Sequence, residues 1–176
     1  MKDLSFKNFI EQSDLKIQSA IELGGGEGND ANWLCGKGVK EIIMIDKKSP
    51  EGSLNNGLKF VRRDFFNTDE TKGELDDKEF DLLFSCYSIC FNTRQQIEEK
   101  LPFYLEKIKK GGTFYLLDFN PNEQVVVRRT NLWDGWFFSL LNKYFNHFEI
   151  KTQEVYEKAH QHRHNIFELV CSNRIL

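Results

Sequence analysis

Much is scarce or missing in this chain of 176 residues, and each absence removes a class of function. The four cysteines, Cys35, Cys86, Cys90 and Cys171, include no Cys-x-x-Cys pair. No zinc or redox motif is therefore signalled, and the thiols read as core filler in a reducing compartment, with no metal expected. No apolar run is long enough to span a bilayer, and the opening MKDLSFKNFIEQ lacks the apolar core of a signal peptide. A cytoplasmic location with no membrane partner is the default expectation. Basic charge is not in excess either. The formal net charge is -3, whereas general nucleic-acid binding needs a basic face. The pairs Arg62-Arg63, Lys109-Lys110 and Arg128-Arg129 read as solvated surface. Low-complexity tracts, internal repeats and linkers are also lacking. The length suits one domain over residues 1–176, burying roughly 70% of the surface of its unfolded chain.

What the chain does have is a glycine turn. Residues 20–30 read A-I-E-L-G-G-G-E-G-N-D: an apolar run, an acidic residue, glycines at alternate positions, then a helix start. Gly24, Gly26 and Gly28 leave the backbone free of Cβ atoms where a strand must turn sharply into a helix. Such a turn aims backbone N–H groups and a helix N-terminus at whatever sits above the strand, as a nucleotide-cofactor cradle does.

The rest of the chain alternates in the same way. A short amphipathic helix is expected over residues 4–13, a strand over 17–23, and a helix over 29–36 closed by Gly36 and Gly38. Strands follow at 41–46, 58–63, 80–85 and 113–118. Residues 47–57 contain Pro50, Gly52, Asn55, Asn56 and Gly57, too broken for more than a short helix. The apolar spacing of Ile97, Leu101, Tyr104, Leu105 and Ile108 predicts a helix over 93–110, with a kink or restart at Pro102. Another helix is expected over 132–144. The strands at 148–156 and 165–172 have no helix between them, so they form an antiparallel hairpin at the sheet edge. The reading is a Rossmann-like three-layer α/β sandwich with seven strands, six parallel and one reversed.

Two cofactor classes compete for the turn. The dinucleotide fingerprint needs glycine at its first, third and sixth positions, and counting from Gly24 the sixth is Asn29. What stands here is Glu22-x-Gly24-x-Gly26-x-Gly28. It resembles the first motif of class I S-adenosylmethionine-dependent methyltransferases. Asp46 closes the second strand, where a carboxylate can accept both hydroxyls of a ribose. Asp64 and Phe65 follow the third strand, and in the resembling family this pair takes the adenine. The stretch K-E-F-D-L-L-F-S-C resembles that family's fourth motif, and K-I-K-K-G-G-T-F-Y-L-L-D its helix–turn–fifth strand. The resemblance spans about residues 17–172 and implies S-adenosylmethionine as cofactor, held by Glu22, Gly24, Gly25, Gly26, Gly28, Asp46, Asp64, Phe65 and Ser85. Taken singly, each aspartate also suits an ordinary strand end, and Glu22 a helix cap. Three carboxylates at the ends of three successive strands, where open α/β sheets bind ligands, favour the cofactor. Glu22 offsets positive charge on such a molecule, and the turn's N–H groups suit its carboxylate.

The acceptor is less legible. Only about sixteen residues, a helix or lid, precede the first strand, and one aromatic-rich insert, 119–145, follows the fifth. With no separate substrate domain, a small-molecule acceptor is expected. The Asn-Pro-Pro-aromatic motif of amino-methylating DNA enzymes is replaced by Ser85-Cys86-Tyr87-Ser88, so DNA is not expected. His160, His162 and His164 alternate, and in an extended strand they share a face. That stretch is a polar hairpin, a zinc site, or a rim facing the acceptor. The segment also resembles small tellurite-resistance and thiopurine-type methyltransferases, which implies an active-site role for His162 and Arg163, and for His164 beside them. A macromolecular acceptor would instead dock on Trp133, Trp136, Arg128 and Arg129. A non-catalytic fold relative would not need its three carboxylates.

Overall fold

The computed structural model describes residues 5–67, 73–119, 130–132, 134–157 and 162–175, with the backbone alone at 156, 157, 162 and 163. Seven strands form one sheet: β1 Ser19–Leu23, β2 Glu41–Asp46, β3 Leu58–Arg62, β4 Phe80–Cys86, β5 Ile108–Phe119, β6 Phe145–Glu157 and β7 His162–Arg174. Their order is β3-β2-β1-β4-β5-β7-β6. The first five strands pair in parallel, and β7 runs antiparallel to both β5 and β6. Strand order reverses beside β1, where an open sheet leaves a crevice at its carboxyl edge.

Helices cover both faces, giving three layers. On one side lie α1 (Phe6–Gln12) and α2 (Asn29–Gly36), packed through Phe6, Ala31 and Leu34 against Ala20, Met44, Phe84 and Tyr115. Phe6 stacks on Phe84 at 4.2 Å between centroids, which fixes α1 over β4. On the other side, α3 (Arg94–Leu105) and α4 (Gly135–Leu141) pack through Ile97, Leu101, Tyr104, Phe137 and Leu141. A capping box starts α3, with Thr93 and Gln96 each satisfying the other's backbone amide. Ser85 ties β4 to β1 by donating its hydroxyl to the Leu23 carbonyl at 2.9 Å.

Several sequence expectations change. The hairpin strands expected at 148–156 and 165–172 are longer, Phe145–Glu157 and His162–Arg174. The helix expected over 93–110 ends at Leu105, and it runs through Pro102 without restarting. The fifth strand begins at Ile108 rather than Thr113, because a register shift between Phe80 and Leu82 lets Gly111 and Gly112 stay within β5. The helix expected over 132–144 is shorter, Gly135–Leu141. No helix forms over residues 47–57, as their composition implied. Residues 120–129 of the insert, with Arg128 and Arg129, lie outside the described residues, as do Trp133 and His160. Among the described residues, no helix is long and apolar enough to cross a membrane.

Candidate functional site

The chain leaves β1 and enters α2 through three glycines in left-handed conformations, Gly24 (φ 75), Gly26 (φ 53) and Gly28 (φ 74). At Gly24 the need is spatial as well, since a Cβ there would lie 2.1 Å from the Ser88 hydroxyl. Ser88 instead donates to the Gly24 carbonyl at 3.0 Å and clamps the turn to the end of β4. Gly25 has no room either: an added Cβ would sit 2.5 Å from Met44 Sδ and 2.6 Å from Glu22 Oε2. Gly28 supplies the left-handed N-cap of α2.

Beneath this turn lies Glu22. Its register neighbours are Met44 on β2 and Phe84 on β4, so an apolar residue flanks the carboxylate on each side. It is 3% exposed, and Oε2 has no hydrogen-bond partner among the described residues. Burial, reinforced by Asp30 and Asp46 nearby, pushes its carboxyl up to about 8, and the Ala31 amide offsets this only partly. Asp30, in the first turn of α2, is itself pushed up by burial, with Lys7 of α1 and the Cys86 thiol pulling it back. Burying a carboxyl that lacks partners costs free energy. A cation placed against Oε2 would remove that cost, and the ammonium of a methionyl group is such a cation.

Asp46 ends β2 and takes hydrogen bonds from the Gly26 amide (2.9 Å) and the Lys48 amide (2.8 Å). Each carboxylate oxygen has a second lone pair, so ribose hydroxyls remain acceptable to it. Asp64 lies just past β3, holding Lys47 Nζ at 2.9 Å and the Phe66 amide at 3.0 Å. The Phe65 ring is buried and would lie 3.5 Å from a Cβ on Gly24, while its carbonyl accepts from the Tyr104 hydroxyl. The turn, Asp46, Asp64 and Phe65 therefore gather at one edge. Ser85 lies within the same edge but spends its hydroxyl on Leu23, as a strut between strands. Residues 47–57 fold back on α2: Asn55 bonds Asn32 through both amides, and the Glu51 amide donates to Glu27.

On the other side of β4 the edge is aromatic. Tyr87, one residue past β4, packs its ring 4.9 Å from that of Phe119 at the end of β5. Phe119 in turn lies 5.3 Å from the ring of His164. His164 belongs to β7 and sits beyond the last β5 pairing, Phe119 with Ile166. His162 and Arg163 start β7, and their side chains lie outside the described residues. No group of three or more His, Cys, Asp or Glu is arranged to hold a metal ion among the described residues. Sequence reading gave no role to Asp30, Ser88 or Tyr87. The Ser-Cys-Tyr-Ser string offers no sign that its third residue is left-handed. A cavity of about 1130 Å³ lies away from this edge, between α1 and the β5–β7–β6 face, lined by Gln12, Thr113, Lys151 and Glu168.

No protein-family model matches the sequence, and a search of curated proteins finds no match. Solved structures do match. A SAM-dependent methyltransferase from Archaeoglobus fulgidus superimposes with a TM-score of 0.70 at 14% identity, over 94% of this chain and 90% of that one. An O-methyltransferase family protein from Burkholderia thailandensis gives 0.67 at 9% identity over 95% of this chain, which spans only 55% of the larger protein. The 1,6-didemethyltoxoflavin-N1-methyltransferase of the same organism, solved with its substrate and S-adenosylhomocysteine bound, gives 0.62 at 15% identity, over 88% of this chain and 71% of that one. At these identities the likeness is one of fold: a Rossmann-like sheet with an antiparallel C-terminal hairpin, as S-adenosylmethionine-dependent methyltransferases have. None of the three is described as a tellurite-resistance or thiopurine-type enzyme, and that closer similarity is not confirmed.

Proposed function

We propose that this chain transfers a methyl group from S-adenosylmethionine to a small-molecule acceptor. The observation that carries the reading is Glu22: a buried carboxylate with an oxygen lacking a partner among the described residues, held under the glycine turn between β1 and α2. In this role Glu22 takes the methionyl ammonium; the Gly24, Gly26 and Gly28 amides are spent on Ile45, Asp46 and Gly25, so the carboxylate falls to the turn's other N–H groups, at Gly25 and Glu27. Asp46 accepts the ribose hydroxyls, Asp64 and Phe65 bracket the adenine, and Ser85 holds β1 and β4 in register beneath them. The sulfonium supplies an activated methyl group and a good leaving group. The protein's part is then to align the acceptor and exclude water, and orientation of this kind supplies ~7–11 kcal/mol of a barrier.

His164, with His162 and Arg163 preceding it on β7, forms the acceptor rim at the far side of Tyr87 and Phe119. The Burkholderia N1-methyltransferase acts on a small molecule, which supports the same class here. Beside the turn, Lys7 of α1 faces Asp30 of α2 at 4.0 Å.

The test offers the protein methyl-labelled S-adenosylmethionine with a cell extract separated into low-mass and macromolecular fractions. Label is expected in the low-mass fraction and absent with Glu22→Gln. Label confined to protein or RNA would favour a macromolecular acceptor. No transfer to either fraction would contradict the proposal.

A further inference from the structure

Tyr87 is the one aromatic residue with a left-handed backbone among the described residues, φ 55 immediately after β4. Glycine or asparagine fills such a position without the strain a bulky side chain meets there. Local structure therefore does not call for a tyrosine. The conformation is held from three sides. The Tyr87 amide donates to the Leu117 carbonyl at 2.8 Å. On the C-terminal side, Ser88 donates to the carbonyls of Gly24 (3.0 Å) and Cys86 (3.2 Å). Strain that is fixed from several directions clusters at functional sites.

The consequence of that geometry is a ring thrown past the sheet edge rather than into the core. Tyr87 stays 37% exposed while leaning on Phe119 at 48°, and Phe119 leans on His164 at 59°. Three rings from three adjacent strands thus stand in a row, about one ring-contact apart. The row begins at the residue next to Ser88, whose hydroxyl touches the glycine turn. Phe91, in the 3-10 turn that follows, adds another exposed aromatic. Burial holds the Tyr87 phenol protonated, helped by Cys86, Asp118 and Asp30 nearby, so it offers a donor rather than a base.

We propose that Tyr87, with Phe119 beside it, is a specificity-determining residue that selects a flat aromatic acceptor and lays it edge-to-face or offset against the ring row. The proposal rests on the methyltransferase reading and names its substrate class. Tilted aromatic walls favour a π-system over a saturated ring of the same size through the ring quadrupole. A donor at the phenol then fixes a heteroatom on the ring's edge.

The test uses 2-naphthol and its saturated analogue decahydro-2-naphthol as probes, both uncharged at neutral pH. Their affinities for the protein saturated with S-adenosylhomocysteine are read by saturation-transfer NMR. The aromatic probe should bind about five- to tenfold more tightly, the scale of one to two ring contacts. Tyr87→Asn tolerates the left-handed backbone, so the fold is retained; it should erase the preference and leave S-adenosylhomocysteine affinity unchanged. Tyr87→Phe should keep the preference. Equal binding of the two probes, no binding of either, or a preference surviving in Tyr87→Asn would each overturn the proposal. If S-adenosylhomocysteine itself fails to bind the wild-type chain, the methyltransferase reading falls, and this inference with it. If it binds and the ring preference is missing, only the inference falls.

Discussion

Two carboxylates on the central strands meet opposite fates. At the amino edge, Asp81 of β4 receives the amides of Gln18 (2.8 Å) and Ser19 (3.0 Å), the Ser19 hydroxyl and Lys109 Nζ at 2.7 Å. Partial burial pushes its carboxyl up, but Lys109 and the two amides outweigh that and hold it below the ordinary carboxylate range. At the carboxyl edge, Glu22 of β1 is more deeply buried, has no partner for Oε2, and faces Asp30 and Asp46 instead of a cation. The first arrangement stabilises the fold as it stands. The second disfavours the ionised carboxyl, so Glu22 either keeps its proton or needs a cation beside it. A buried carboxyl pushed toward neutrality beside other carboxylates, at the ligand edge of an α/β sheet, is what a binding site looks like before it is filled.

The sharpest way to break this contrast is to remove the charge at Glu22 while keeping its shape. Glu22→Gln should weaken S-adenosylhomocysteine binding by about 2–5 kcal/mol, the range for losing one partner of a desolvated charge pair. Calorimetric titration reads it directly; affinity within threefold of wild type would mean that the carboxylate faces no cation.

The second consequence concerns pH. Because the Glu22 carboxyl sits near 8 when folded and near 4.5 when not, the folded state holds a proton that the unfolded state releases between those values. Stability of the ligand-free protein should therefore fall as pH rises from about 4.5 to 8, by up to several kcal/mol at about 1.4 kcal/mol per pH unit. Glu22→Gln should flatten that slope. Asp81 has the reverse sign: its lowered carboxyl contributes stability at neutral pH that is lost as pH falls through its folded value. A urea titration series across pH measures both. An unchanged slope in Glu22→Gln would remove Glu22 as its source.

Asp81→Asn should show the smallest effect and of the other kind. Losing part of this half-exposed network should cost about 1–3 kcal/mol of stability, or several degrees in Tm, with ligand affinity unchanged. A loss of affinity with no loss of stability would contradict the assignment of the two edges.

The sequence carried some of this plainly. β2, Glu41–Asp46, and α2, Asn29–Gly36, fall where the apolar run and the closing glycines place them. Glu22, Asp46 and Asp64 were legible because a strand end followed by a turn fixes which edge a residue occupies. The depth of Glu22's burial was not, since it depends on Met44 and Phe84, brought alongside by strand register. The start of β5 was hidden for a related reason. Lys109, Lys110 and two glycines resemble a helix end, and only pairing of Ile108 with Phe80 makes them strand. Gly112 fits there because a Cβ would come within 3.0 Å of the Asp81 carbonyl, a contact between distant residues. The left-handed turn at Tyr87 had no local signal at all; the Tyr87 amide's bond to the Leu117 carbonyl and the Ser88 hydroxyl's bond to the Gly24 carbonyl impose it.

Most direct is the melting temperature with and without S-adenosylhomocysteine. At about a hundred times its dissociation constant, the ligand should add ~2.7 kcal/mol. For a chain of this size that is roughly a 5–11 °C rise, reduced in Glu22→Gln. A melting temperature that S-adenosylhomocysteine leaves unmoved, while NAD raises it, would contradict the account.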